Sequence, residues 1–303
     1  MTSSSEAVGR VPLGVRSAAS AAGRSAPPRV AVPSRGRLRT RTLELLGDAG
    51  YATSMLHGGG AVARVDGLSF IEMRSRDAAA ALAAGQVAAA FIATDLVMEH
   101  QLEELPGLPL GFARSDLVLA SRDDDGRVTA TDLVGATVAT HLPELARRFF
   151  AERGTDVTVL ELGGSLEGVC AAGIADAIVD LCETGTSLAT NRLRVLEIIR
   201  PCEALFVRGA DTPALDDLAL RLNAALAAAR HRYVMLHVSP DQLDKLRYLF
   251  PGLAAPTVLP LAGRDDLVAV HFVAGAEELW ERLGDLRALG ATGIVALIPQ
   301  AIL

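Results

Sequence analysis

The stretch Ala177-Ile-Val-Asp-Leu-Cys-Glu-Thr-Gly-Thr-Ser187 joins an apolar strand to a hydroxyl-rich loop. Residues 177–181 have the composition of a strand buried on both faces, and the run stops where the hydroxyls begin. Such a strand delivers Asp180 to its carboxyl end. Gly185 lets the backbone come close to an anion, and successive N–H groups there form an anion-binding nest. Thr184, Thr186 and Ser187 add hydroxyl donors, and a helix starting near Ser187 adds the positive end of its dipole. A carboxylate just ahead of such a nest can accept from sugar hydroxyls, whereas it would repel a bare phosphate. The pattern therefore suits a sugar phosphate. The same spacing also fits an ordinary turn that caps a helix.

On the amino-terminal side, strands over 29–33, 69–73, 87–93 and 117–120 alternate with helices over 38–50 and 76–84. A second unit opens at 131, with strands over 137–140, 157–160 and 177–181. Its helices cover 144–153 and 165–173, the latter capped by Ser165. This alternation is the signature of mostly parallel sheets covered by helices. The chain then crosses back through 195–199 and 204–207. Two α/β lobes joined by crossing strands enclose a cleft, and ligands of such sheets sit beyond the carboxyl ends of the strands. The last segment runs strand 233–238, helix 241–250, strands 257–261 and 267–272, helix 276–289, strand 293–298. That β-α-β-β-α-β order is a ferredoxin-like module. The expected divisions are a disordered tail over 1–28, lobe I over 29–120 with a return segment 194–228, lobe II over 121–193, and the ferredoxin-like module over 229–303.

The chain has 303 residues, a net charge of −7 and half its residues apolar. No apolar run approaches the roughly 18 residues of a membrane span, and no basic block suggests nucleic acid. A soluble, cytoplasmic protein is expected, with neither membrane nor nucleic-acid partners. Lys245 is the one lysine, so a phosphate must be gripped by arginines, hydroxyls, backbone N–H groups and a metal it carries. Ser34-Arg-Gly-Arg37 places the guanidinium forks of Arg35 and Arg37 after the first strand, a geometry suited to phosphate and diphosphate oxygens. Gly163-Gly-Ser-Leu-Glu167 is a further loop that allows close backbone approach. Cys170, Cys182 and Cys202 lack C-x-x-C spacing and read as reduced thiols, and the histidines form no metal-site pattern. His57-Gly-Gly-Gly60 reads as a loop and Arg122-Asp-Asp-Asp-Gly126 as a turn.

Glu167, Gly173, Ala175, Ile178, Asp180, Leu181, Thr184, Gly185 and Leu188 together resemble the signature of the ATP phosphoribosyltransferase family. Val30-Ala-Val-Pro33 with Gly36-Arg-Leu38, Leu110-Gly-Phe112, Gly164-Ser-Leu-Glu167 and Ala175-Asp-Ala-Ile178 extend the resemblance, which runs from Arg29 to the carboxyl terminus. Tyr233-Val-Met235, Pro251-Gly252, Pro256-Thr-Val258, Pro260-Leu261 and Gly290-Ala291 are similar to its long form. The resemblance implies a periplasmic-binding-protein-like catalytic unit with a ferredoxin-like regulatory domain. It implies joining of N1 of the adenine of ATP to the anomeric carbon of phosphoribosyl pyrophosphate, with Mg²⁺ and release of pyrophosphate, at the first step of histidine biosynthesis. Asp180 and Arg37 are the implied catalytic residues. Arg35, Glu167, Asp176, Glu183, Thr184, Gly185, Thr186 and Ser187 are implied to bind substrate. Thr257 and Ala291 mark the regulatory domain, which is implied to bind histidine, and the implied assembly is a dimer or hexamer.

The chain departs from the family at Ala88, Ala90 and Ala93, where an acidic residue and two glycines are usual. It also carries Asp116 in place of an arginine, Ser187 in place of threonine and Arg192 in place of glycine. The departures leave two alternatives beside the family reaction: transfer of another activated sugar, for example a heptose, to an adenine nucleotide, or an inactive binding subunit.

Overall fold

The computed structural model describes residues 26–57, 62–251 and 256–303. The expected tail up to residue 25, the glycines at 58–60 and Gly252 lie outside the described residues. In the first half of the chain the strands are β1 (Arg29–Pro33), β2 (Val62–Val65), β3 (Leu68–Met73), β4 (Ala89–Ala93), β5 (Gly107–Pro109), β6 (Ser115–Arg122) and β7 (Thr137–Thr140). They are followed by β8 (Thr158–Glu161), β9 (Ala177–Cys182), β10 (Leu193–Cys202), β11 (Ala204–Arg208), β12 (His231–Val238), β13 (Thr257–Leu261), β14 (Arg264–Gly275) and β15 (Thr292–Leu297). The helices are α1 (Gly36–Asp48), α2 (Ser54–His57), α3 (Ser75–Ala83), α4 (Thr94–Glu99) and α5 (Pro143–Ala151). The remaining five are α6 (Leu166–Ala171), α7 (Thr186–Thr190), α8 (Pro213–Arg230), α9 (Leu243–Leu249) and α10 (Ala276–Ala288).

Lobe I is a sheet in the order β2-β3-β1-β4-β11-β5. β1 runs parallel to both β3 and β4, and this central place explains why Val30, Ala31 and Val32 are all buried. Thr42, Leu43, Leu45 and Leu46 turn one face of α1 inward, and α8 lies beside it with Leu215, Leu218, Leu222 and Ala225 in the same core. Thr212 caps α8 by accepting from the Leu215 N–H, and Pro213 opens its first turn.

Lobe II is a sheet in the order β10-β6-β9-β7-β8. The boundary between the lobes differs from the expected one. β6 pairs along its length with β9 and β10, so lobe I ends before Ser115 rather than at 120. β10 belongs to lobe II as well, and the return to lobe I begins at β11. Periodicity identifies a strand but does not name the neighbour that takes its hydrogen bonds. Ser165 also departs from expectation. It occupies the N-cap position of α6 in the left-handed region (φ 56°), and its side chain makes no capping bond.

The lobes meet through α4 and α5. One apolar core runs from Ala78, Leu82 and Leu96 of lobe I to Leu117, Val138 and Phe150 of lobe II. Within it, the buried Glu99 carboxylate accepts from the Glu144 N–H at 3.2 Å and the Leu145 N–H at 2.8 Å. A side chain of lobe I thus caps a helix of lobe II, whose own N-cap, Leu142, offers no side-chain acceptor.

The third unit is an antiparallel sheet in the order β13-β14-β12-β15, the strand order of a ferredoxin-like module. Leu246 of α9, Phe250 just after it, and Leu279 and Leu286 of α10 fill one core with Val234, Leu236, Val270 and Phe272. Thr257 lies on β13 and Ala291 just before β15, the two outermost strands. At about 4.8 Å per strand they stand on opposite edges of the sheet, so the module of a single chain does not bring the two regulatory positions into one pocket.

Candidate active site

The carboxyl ends of β1, β3 and β4 in lobe I face those of β7, β8 and β9 in lobe II across a cleft of about 720 Å³. Arg35, Arg37, Arg74, Arg76 and Arg114 line it, against the carboxylates of Asp77, Asp95 and Glu183. A chain of net charge −7 has therefore gathered positive charge where two sheets converge, which focuses anionic ligands into the gap. Arg35, Arg74 and Arg114 have no ion-pair partner among the described residues. Gly36 carries φ +76° with open space at its α-carbon. The backbone bend, rather than room, calls for glycine here, and it sets Arg35 and Arg37 on the cleft wall.

Two arginines already reach across. Arg76 binds Glu161 at 2.6 Å, and Arg37 is paired with Glu183. All four side chains are substantially exposed, so the pairs hold the lobes only weakly and can be exchanged for ligand oxygens. Glu183, expected to touch substrate, lines the cleft with its carboxylate committed to Arg37.

Asp180 stands near the end of β9, and its Oδ1 accepts from the Leu181 N–H at 2.8 Å. Burial pushes its carboxyl above the ordinary value, more than the nearby His141 pulls it down. Gly185 then turns the chain with φ +73°, and α7 follows. The Thr184 and Thr186 hydroxyls lie 3.0 Å apart, and the Ser187 hydroxyl donates to Glu167 Oε1 at 2.6 Å. Thr184, Gly185, Thr186 and Ser187 thus form one exposed loop behind Asp180, with Glu167 holding its far end.

Asp176 does not belong to this group. It lies just before β9, where the parallel strands of lobe II begin, and so at the end of the sheet away from the cleft. There it accepts from the Thr137 N–H at 2.9 Å and pairs with Arg127 at 3.0 Å. The Thr137 bond, helped by Arg127, holds its carboxyl below the usual range against the opposing effect of burial. It braces the start of β7 and is not among the residues lining the cleft. Strand direction likewise separates the three alanines: Ala93 lines the cleft, Ala90 is fully buried between β1 and β11, and Ala88 lies at the opposite end of β4, bonded to Arg29. Asp116 opens onto an adjoining hollow of about 570 Å³ that also holds Arg114 and Arg200. The Arg122–Gly126 stretch makes a turn in which Asp125 binds Arg127 at 3.0 Å.

Arg74, Arg76, Asp95, Arg114 and His141 were not singled out in the sequence. Arg74 and Arg76 follow β3, Asp95 follows β4 and His141 follows β7, so reading the first three residues after each parallel strand would have found four of the five. Among the described residues no three His, Cys, Asp or Glu side chains converge as metal ligands.

Residues 74–226 match the family model described as HisG, ATP phosphoribosyltransferase, and residues 228–298 match the model of the HisG C-terminal domain. A protein of Gemmatimonas aurantiaca named ATP phosphoribosyltransferase is 35% identical over 281 residues, covering 88% of this chain and 96% of its own. One of Natronomonas pharaonis with the same name is 36% identical over 274 residues, with the same shares covered. Among solved structures, the ATP phosphoribosyl transferase (HisG:HisZ) complex from Thermotoga maritima matches with a TM-score of 0.57 at 23% identity, over 64% of this chain and 96% of that one. That structural likeness speaks to the fold. Among the described residues no helix is long and apolar enough to cross a membrane.

Proposed function

The chain belongs to the ATP phosphoribosyltransferase family, which catalyses the first step of histidine biosynthesis, and we propose that it carries out this transfer in the interlobe cleft, with Asp180 and the Thr184–Ser187 loop holding the sugar. The observation that carries the site assignment is Asp180, delivered by β9 at the head of a hydroxyl-rich loop and opposite a wall of arginines.

In this reaction adenine N1 of ATP bonds to the anomeric carbon of phosphoribosyl pyrophosphate. The carbon–oxygen bond to the diphosphate breaks, and pyrophosphate leaves with the bonding pair. The carbon gains oxocarbenium character on the way, and N1 is already a nucleophile, so no strong base is required. The protein has to place two polyanions in line and neutralise the leaving group. Arg35, Arg74 and Arg114 are free to take diphosphate or triphosphate oxygens, while Arg37 and Arg76 exchange Glu183 and Glu161 for them. The Thr184, Gly185, Thr186 and Ser187 amides and hydroxyls receive the 5′-phosphate. Asp180 accepts from the ribose hydroxyls in a partly dry site, where such bonds are strengthened. Glu167 acts through Ser187, aligning the loop.

Magnesium fits this donor set as a cation carried on the diphosphate oxygens, with at most one or two protein carboxylates, the way this hard ion is usually held. When bound it offsets the charge of the leaving group. The protein is taken to work in the cytoplasm as a homo-oligomer, with histidine as inhibitor at the ferredoxin-like modules. Because Thr257 and Ala291 lie on opposite edges of one module, a shared histidine site requires two copies of it.

Incubation with ATP, Mg²⁺ and phosphoribosyl pyrophosphate should yield the phosphoribosyl adduct of ATP by mass spectrometry, with one pyrophosphate per adduct. An adduct formed only from a different activated sugar would refute the donor assignment.

A further inference from the structure

Three ionisable side chains form a chain across the cleft, and the transfer described above uses only the last of them. Asp95 stands in the first turn of α4, in lobe I, and is 3% exposed. Its Oδ1 has no hydrogen-bond partner among the described residues, and its Oδ2 lies 3.8 Å from His141 Nε2. The other ring nitrogen of His141, Nδ1, lies 3.5 Å from Asp180 Oδ1 in lobe II. One imidazole therefore sits between a buried carboxylate of one lobe and the sugar-facing carboxylate of the other.

We propose that His141 is a positioning residue: its ring, clamped between Asp95 and Asp180, sets the spacing of the lobes at the sugar end of the cleft and aims Asp180 at the donor hydroxyls. The assignment rests on Asp180 as the sugar-binding carboxylate. A protonated imidazole can donate to both carboxylates at once, whereas a neutral ring donates to only one and turns a lone pair on the other. An unpaired carboxylate as buried as Asp95 is costly, so loss of the ring proton favours separation of the two lobes. The charged groups facing the ring come from each element around it: Asp95 on α4, Asp180 on β9, and Arg76 on α3. Glu167 on α6 acts on Asp180. Burial opposes the charged ring, as does Arg76, but the carboxylates of Asp95 and Asp180 on either side outweigh them and raise its pKa above the ordinary histidine value. With a raised folded value, the clamp is complete below about pH 6.5, the ordinary histidine range, and is lost as pH rises through the folded pKa. Donor affinity should fall over that same window.

The test joins a histidine NMR titration of the ligand-free protein with steady-state kinetics against pH. The side-chain signal that disappears in H141N should titrate above the ordinary histidine range and move down in both D95N and D180N. In the wild type, KM for phosphoribosyl pyrophosphate should rise as pH passes through that titration. In H141N it should be raised about tenfold at low pH, the loss of one charge-assisted bond, and be flat with pH, with kcat much less affected. Persistence of the other histidine signals in each variant reports that the fold is intact. The clamp is overturned if the His141 signal ignores D95N and D180N, or if H141N keeps the wild-type KM profile. Should no transfer from phosphoribosyl pyrophosphate occur at all, the donor assignment fails, and the NMR titration alone decides the clamp.

Discussion

Asp176 and Asp180 stand four residues apart along the β9 segment, about 13 Å at 3.3 Å per residue, and the strand sorts them to opposite ends of lobe II. Asp180 stands beside the cleft-lining His141; Asp176 holds Thr137 and Arg127. Residue type and a family motif place both aspartates in one functional stretch. The direction of a parallel sheet separates them, and that comes only with the pairing of β7 and β9. Opposite effects are expected from one substitution at the two sites. Asp176→Asn should lower stability by about 1–2 kcal/mol, the usual cost of stranding a bonded group, with KM and kcat near wild type. Asp180→Asn should cut kcat/KM for the sugar donor by about a hundredfold, roughly the loss of a charge-assisted bond pair to the transition state. It should leave stability at neutral pH unchanged or higher, because burial already disfavours its charged form. Urea unfolding and steady-state kinetics on the two variants check both. Cysteine labelling offers a simpler test at this scale. The Cys202 thiol is buried, and burial pushes its pKa to about 12, while Cys182 is partly exposed. A maleimide at pH 8 should label Cys182 in the native protein and leave Cys202 unreacted until the chain unfolds; equal labelling rates would contradict the packing of β10.

Between elements, the contact that sequence could not reveal is Glu99 capping α5 from the other lobe. α4 is six residues long, shorter than an apolar repeat needs to declare itself, and it follows a strand without a break. The partner amides lie some 45 residues on, so no local capping pattern exists to be read. α8 was hidden for a different reason. Its alanines leave no sharp contrast between faces, although Thr212-Pro213 marks its start. The strands and helices flanking the cleft were legible because alternation of apolar runs with glycine stops is a local signal. Glu99→Ala should destabilise the protein by about 2 kcal/mol, as removal of a cap that leaves buried amides unpaired. Glu99→Gln, which keeps an acceptor, should recover much of that loss. Equal losses from both variants in denaturant titrations would show that charge, rather than the cap, is what matters.

At the scale of the molecule, the apolar core shared by Leu82, Leu96, Val138 and Phe150 makes the two lobes one cooperative unit. The ferredoxin-like module has a separate core. Calorimetry should therefore show two transitions, the smaller belonging to residues 231–297, and a ligand of the cleft should raise only the larger one. A single transition that shifts as a whole with cleft ligands would mean that the module is energetically part of the catalytic unit. The arrangement of two lobes and a module was readable from element order, whereas the lobe boundary was not, because β6 and β10 take their partners from the far side of the crossover. What the fold achieves as a whole is convergence: six strand ends bring arginines, one histidine and the carboxylates of Asp77, Asp95 and Glu183 to a single gap, with Asp180 beside the histidine. A crystal structure with phosphoribosyl pyrophosphate and Mg²⁺ bound tests that claim most directly. The 5′-phosphate should rest on the Thr184–Ser187 amides, the ribose hydroxyls on Asp180, and the diphosphate among the arginines of lobe I. A diphosphate seated on the Thr184–Ser187 loop, or a ligand bound away from Asp180, would contradict the account.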